Sequence, residues 1–130
     1  MAIKPIDEWI KQAGYDLGTA EHMFKSGRYI YVVFMCHLSI EKALKGFYAE
    51  SAQKEPPKTH DLVFLSEKAR LKLPDRLMEF LDRLNNASVP TRYPDELKRL
   101  LKQYNKRKTS IILNETKDLL AWLKRKIQKK

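Results

Sequence analysis

At 130 residues with 43% hydrophobic content, the chain has apolar material for one core but not the length for a second domain of ordinary size, so residues 1–130 read as a single domain. Twenty-six Lys and Arg against sixteen Asp and Glu leave a net charge of +10, which favours anionic partners such as nucleotides, RNA or an acidic protein without choosing among them; a Lys-rich surface also serves solubility alone. One cysteine excludes an internal disulfide, and one Cys with three scattered His offers no zinc spacing, so neither a metal nor a cofactor is expected.

No apolar run approaches the roughly 20 residues that span a bilayer, and the opening MAIKPIDEWI lacks the apolar stretch of a secretory signal, so the expectation is a cytoplasmic protein without membrane contact. In residues 7–25, Ile10, Ala13, Leu17, Ala20 and Phe24 recur at spacings of three and four and predict a first amphipathic helix. Asp7 is the expected N-cap, and Gly27 can take the left-handed conformation that ends such a helix. A second helix is predicted over residues 28–52. Tyr29, Val32, Val33, Cys36, Ile40, Ala43, Leu44 and Phe47 make one stripe, and Tyr31, Phe34, Met35 and Leu38 add another. A helix apolar nearly all round is either the central helix of a bundle or lends its second face to a partner subunit. Cys36 reads as a small packed apolar residue.

Pro56 and Pro57 break the pattern, after which Thr59 is the expected cap of a third helix carrying Leu62, Leu65 and Ala69, with Asp61 in its first turn. A fourth begins at Pro74, which suits the first helical position, and buries Leu77, Phe80, Leu81 and Leu84. Residues 85–94, NNASVPTRYP, have no periodicity and two prolines and read as a loop. Helical pattern resumes at Leu97, Leu100, Leu101 and Tyr104. A final helix carries Ile112, Thr116, Leu119, Leu123 and Ile127, with a weak break near Asn105. The fold class is therefore all-α: an antiparallel up-and-down four-helix bundle with an additional short helix.

Among polar residues, His60 lies between the Pro-Pro turn and a helix start, where exposed amides can hold an anion; capping alone equally explains Thr59 and His60. Arg92 and Tyr93, fixed between Pro90 and Pro94, offer a guanidinium fork and a phenol to grip phosphate and stack on a base. Alternatively Tyr93 packs on the bundle and Arg92 pairs with Asp95 or with Glu41. Glu41 and Lys45 are spaced as a helix ion pair, and the neighbouring Lys42 can reach an anion held by the loops. Lys98, Arg99, Lys102 and Lys106 form a basic face, either merely solvated or followed by a phosphate backbone.

Three segments in order, SIEKALKG at residues 39–46, PPKTHDL at 56–62 and TRYPDE at 91–96, make the chain resemble the HEPN domain family over nearly its whole length. The resemblance implies a helical bundle, usually a homodimer, often paired with a minimal nucleotidyltransferase in toxin–antitoxin-like fashion. The chain is accordingly expected to be a binding module for a nucleotide or RNA phosphate; read from their own placement, His60, Arg92, Tyr93, Lys42 and Asp95 are the ligand-binding candidates and Lys98, Arg99, Lys102 and Lys106 the phosphate face. The family also includes metal-independent endoribonucleases that act across a dimer through an Arg followed at short spacing by a His. Here the histidines are His22, His37 and His60, and Arg28 precedes His37 by a longer spacer, with eight residues between, so the sequence departs from that pattern. The alternatives are such a ribonuclease with a rebuilt site, or a purely structural interaction protein.

Overall fold

A computed structural model describes residues 3–92 and 97–128. Among these residues are six helices, α1 (Ile6–Lys25), α2 (Tyr29–Ala52), α3 (Leu62–Lys68), α4 (Asp75–Arg92), α5 (Leu97–Gln103) and α6 (Lys106–Gln128), and no strand. The four long helices form the bundle expected from the periodicity, and two short ones, α3 and α5, sit in its connections where one additional short helix was expected.

The α1 to α2 junction shows why the chain doubles back. Gly27 adopts φ +76°, Arg28 N–H donates to Met23 O at 2.9 Å and Gly27 N–H to Phe24 O at 3.1 Å. This pair of reversed bonds closes the free carbonyls of a helix end, and glycine holds the left-handed position without strain. A three-residue connection then forces α1 and α2 to pack antiparallel. The α1 start differs from expectation. Pro5 occupies the cap position without a side-chain bond, and Asp7 lies in the first turn, acting on the helix dipole with Glu8.

α2 packs against all five other described helices, which decides between the two readings of its double apolar stripe: it is the central helix. Val32, Cys36, Ile40, Ala43 and Leu44 are fully buried against Leu65, Leu81, Leu119 and Leu123. Of the second stripe, Met35 packs on this core, Phe34 lies under the Arg92 guanidinium at 4.9 Å, and Leu38 is half-buried. Only Tyr31 stays largely exposed, at 56%. Two hydroxyls inside are paired with backbone carbonyls: Ser39 Oγ donates to Ala13 O at 2.7 Å and Thr116 Oγ1 to Ile112 O at 2.8 Å.

Three further expectations are corrected. The cap of α3 is Asp61, whose carboxylate accepts from Phe64 N–H at 3.1 Å, while Thr59 Oγ1 accepts from Asp61 N–H just before it. Pro74 stands just before α4 and lends its carbonyl to Met78 N–H. More consequential, residues 85–92 are the last two turns of α4, with Pro90 inside the helix, and not a loop. The proline removes one backbone bond, but Leu84 and Ser88 are buried on the core side, and Ser88 Oγ and Thr91 Oγ1 donate back to Asn85 O and Ser88 O. Residues 93–96, including Tyr93 and Asp95, lie outside the described residues. The break near Asn105 is real: its side chain accepts from Lys108 N–H at 2.9 Å and starts α6.

Candidate functional site

The three segments that carry the family resemblance converge on one carboxylate. Glu41, in the middle of α2 and buried, accepts from Lys45 Nζ at 2.9 Å through Oε2 and from His60 Nδ1 at 2.9 Å through Oε1. Arg92, in the last turn of α4, brings its guanidinium within 3.6 Å of the same Oε1. The antiparallel bundle thus puts the start of α3 and the end of α4 at one height along α2.

His37, one turn before Glu41, completes the group. Its side chain is 1% exposed, and its Nδ1 lies 2.7 Å from Arg92 Nη2. A guanidinium only donates, so Nδ1 of His37 carries the lone pair and the ring is neutral. Burial, and then the Arg92 charge, push its pKa down from 6.5 to about 4; Glu41, Asn85 and the His60 backbone oppose this weakly. By the same logic a carboxylate only accepts, so His60 Nδ1 carries its proton toward Glu41 and its other nitrogen, Nε2, lies on the opposite edge of a ring whose side chain is 62% exposed. For Glu41, burial alone would raise the pKa, but the bonds from Lys45 and His60 outweigh it and hold the carboxyl below its ordinary value. It is the fixed negative charge that orients two cationic side chains and one imidazole.

Beside this group a concavity of about 240 Å³ opens between α4 and the α3 start, lined by His37, His60, Asp61, Asn85, Val89 and Arg92 among others. Asn85 ties its two walls together: Oδ1 accepts from Leu62 N–H at 3.0 Å and Nδ2 donates to Asp61 Oδ1 at 3.1 Å. The result is a shallow cleft with an exposed imidazole and a half-sheltered guanidinium, held by interactions that are already made without any ligand.

Of the sequence candidates, His60 and Arg92 are brought together. Arg92 pairs as the Glu41 alternative anticipated, and it stands on a helix. Lys42 is not part of the cleft: it forms an ion pair with the buried Asp16 of α1, Nζ to Oδ2 at 2.9 Å. Lys98, Arg99 and Lys102 on α5 and Lys106 at the start of α6 are exposed, and none lines the cleft. His37 and Asn85 were missed. The available signal was His37, Glu41 and Lys45 at steps of four, one polar line down an otherwise apolar helix. Among the described residues no group of three His, Cys, Asp or Glu is placed to hold a metal ion, and no helix is long and apolar enough to cross a membrane.

Comparison with known proteins bears on the family and the fold. The HEPN domain family matches residues 6–127. The crystal structure of TT1696 from Thermus thermophilus is similar with a TM-score of 0.77 at 22% identity, covering 93% of this chain and 97% of that one, a likeness of fold alone. That of ST0689, described as an archaeal HEPN homologue, is similar with a TM-score of 0.74 at 27% identity, covering 95% of this chain and 98% of the other. No curated protein matches the chain.

Proposed function

The chain belongs to the HEPN domain family, and from that premise we propose that it is a binding module for the phosphate of a nucleotide or RNA, acting as a homodimer beside a minimal nucleotidyltransferase. The observation that carries the reading is the convergence of Arg92 and His60 on Glu41 at a solvent-open cleft. Arg92, with its side chain 15% exposed, offers a fixed cation to an entering phosphate, and His60 offers Nε2 from the opposite wall. The exposed cations of α5 and α6, outside the cleft, offer further contacts to a phosphate backbone. The homodimer reading is supported by Tyr31, Leu97 and Leu101, exposed apolar side chains grouped around one shallow concavity.

A specific observation favours a second reading, metal-independent phosphodiester cleavage: a carboxylate bonded to one imidazole nitrogen, leaving the other to move a proton, is the arrangement of a general base. Titration of a labelled single-stranded RNA at several salt concentrations tests both. Expected is a steep fall of affinity with salt and a loss of about tenfold or more in His60→Ala and Arg92→Ala, with thermal melts confirming that each variant is folded. Cleavage by wild type that disappears in His60→Ala selects the second reading. Salt-insensitive binding, unchanged in both variants, overturns the proposal.

A further inference from the structure

On the other side of the 53–61 connector from the histidine cleft, a second concavity of about 330 Å³ lies between the α1 start and the end of α2, within the roughly 300–1,000 Å³ range of small-molecule sites. Its walls are flat and apolar where Trp9, Pro56 and Pro57 meet, and Lys4, Lys45 and Lys58 supply three ammonium groups against the one carboxylate of Glu55. The aromatic wall is built by close packing: a Cβ at Gly46 would come 2.7 Å from Trp9 Cβ, so glycine at that point of α2 is what admits the indole. Two features of Trp9 stand out, one unsatisfied group and one made contact. Its Nε1 is buried without a hydrogen-bond partner among the described residues, and its ring face is covered by Lys4, whose Nζ lies 5.0 Å from the centroid. Lys45 meanwhile is held toward Glu41.

We propose that this concavity binds a small planar anion, an aromatic ring carrying a phosphate monoester, at a site separate from the His60 and Arg92 cleft. A planar ring packs against the indole and the two prolines as bases do on aromatic walls. In doing so it replaces Lys4 on the Trp9 face and frees that ammonium, with Lys58, for the phosphate.

The sequence holds two tryptophans, so a Trp122→Phe background leaves Trp9 as the reporter. Adenosine monophosphate, adenosine and inorganic phosphate are titrated into this full-length variant, with fluorescence checked by calorimetry. Expected is saturable binding of adenosine monophosphate, at least about tenfold weaker binding of adenosine and of phosphate, and a loss of about tenfold in Lys58→Ala. His60→Ala leaves the affinity unchanged, which keeps this site distinguishable from the proposed phosphate cleft. Absence of saturable heat and fluorescence change, equal response to adenosine alone, or a loss in His60→Ala matching that in Lys58→Ala overturns the assignment.

Discussion

The neutral state of His37 makes a quantitative prediction about acid. Its ring is buried and uses Nδ1 to accept from Arg92. Protonation removes that lone pair and sets a second cation against the guanidinium. The folded pKa is about 4 against an ordinary 6.5. As pH falls through this interval the unfolded chain takes up the proton and the folded chain does not. The contribution is therefore fully present above 6.5, is lost progressively down to about 4, and changes no further below. A displacement from 6.5 to about 4 corresponds to roughly 3 kcal/mol at about 1.4 kcal/mol per tenfold. Other groups titrate in the same range, so the measurement is a difference: urea unfolding of wild type and His37→Gln across the series, glutamine offering Arg92 an acceptor that does not titrate. The stability advantage of wild type over His37→Gln should shrink by roughly 3 kcal/mol between neutral pH and pH about 4. A difference that stays constant with pH would refute the neutral, Arg92-bound ring.

Three further outcomes follow from particular contacts. Gly46→Ala drives a methyl into Trp9 at 2.7 Å and should destabilise by about 1–3 kcal/mol, read as a lower melting temperature; an unchanged melt would mean that α1 and α2 separate freely. Asp61→Ala removes the acceptor for Phe64 N–H and Asn85 Nδ2 and should cost about 1 kcal/mol, with faster amide exchange confined to α3 and its neighbours. Burial pushes the Cys36 thiol up to about 12, with a Thr116 bond and the Lys117 charge opposing, so a disulfide reagent at mildly alkaline pH should leave it unmodified until denaturant is added. Rapid modification of the folded protein contradicts the packing around it.

Where the sequence carried a strong physical constraint, the structure agreed. Gly27 ends α1, the apolar residues between Tyr29 and Ala52 make one central helix, and Asn105 parts α5 from α6. The errors share a cause. Residues 85–92 look like a loop because local propensity penalises Asn, Ser and Pro in a helix, yet burial of Ser88 and the Arg92 contacts, both long-range, decide the outcome. Thr59 and Asp61 are both good caps, and only the position of Asn85 beside Asp61 selects between them. His60 and Arg92 were legible as candidates because prolines stand two or three residues away, whereas His37 was hidden by its apolar neighbours. What joins them is Glu41, whose importance lies in partners 19 residues away and more. Lys42, one position along, turns by about 100° to face Asp16 instead.

The unbroken course of α4 sets a rule for how this protein tolerates change in length. Asn85, which fastens the α3 start, and Arg92, which reaches His37, are both carried by the last two turns of α4. Seven residues make close to two full turns, so both point the same way only while their phase is kept. One residue inserted or deleted between them swings Arg92 by about 100° around the helix axis and carries it off His37, whatever the new residue is. The same insertion in the exposed stretch 53–55, beyond the end of α2, only lengthens a tether. Circular permutation, tags and spacers therefore belong in that connector, while the segment from Asn85 to Arg92 behaves as a gauge whose length, more than its composition, is under constraint.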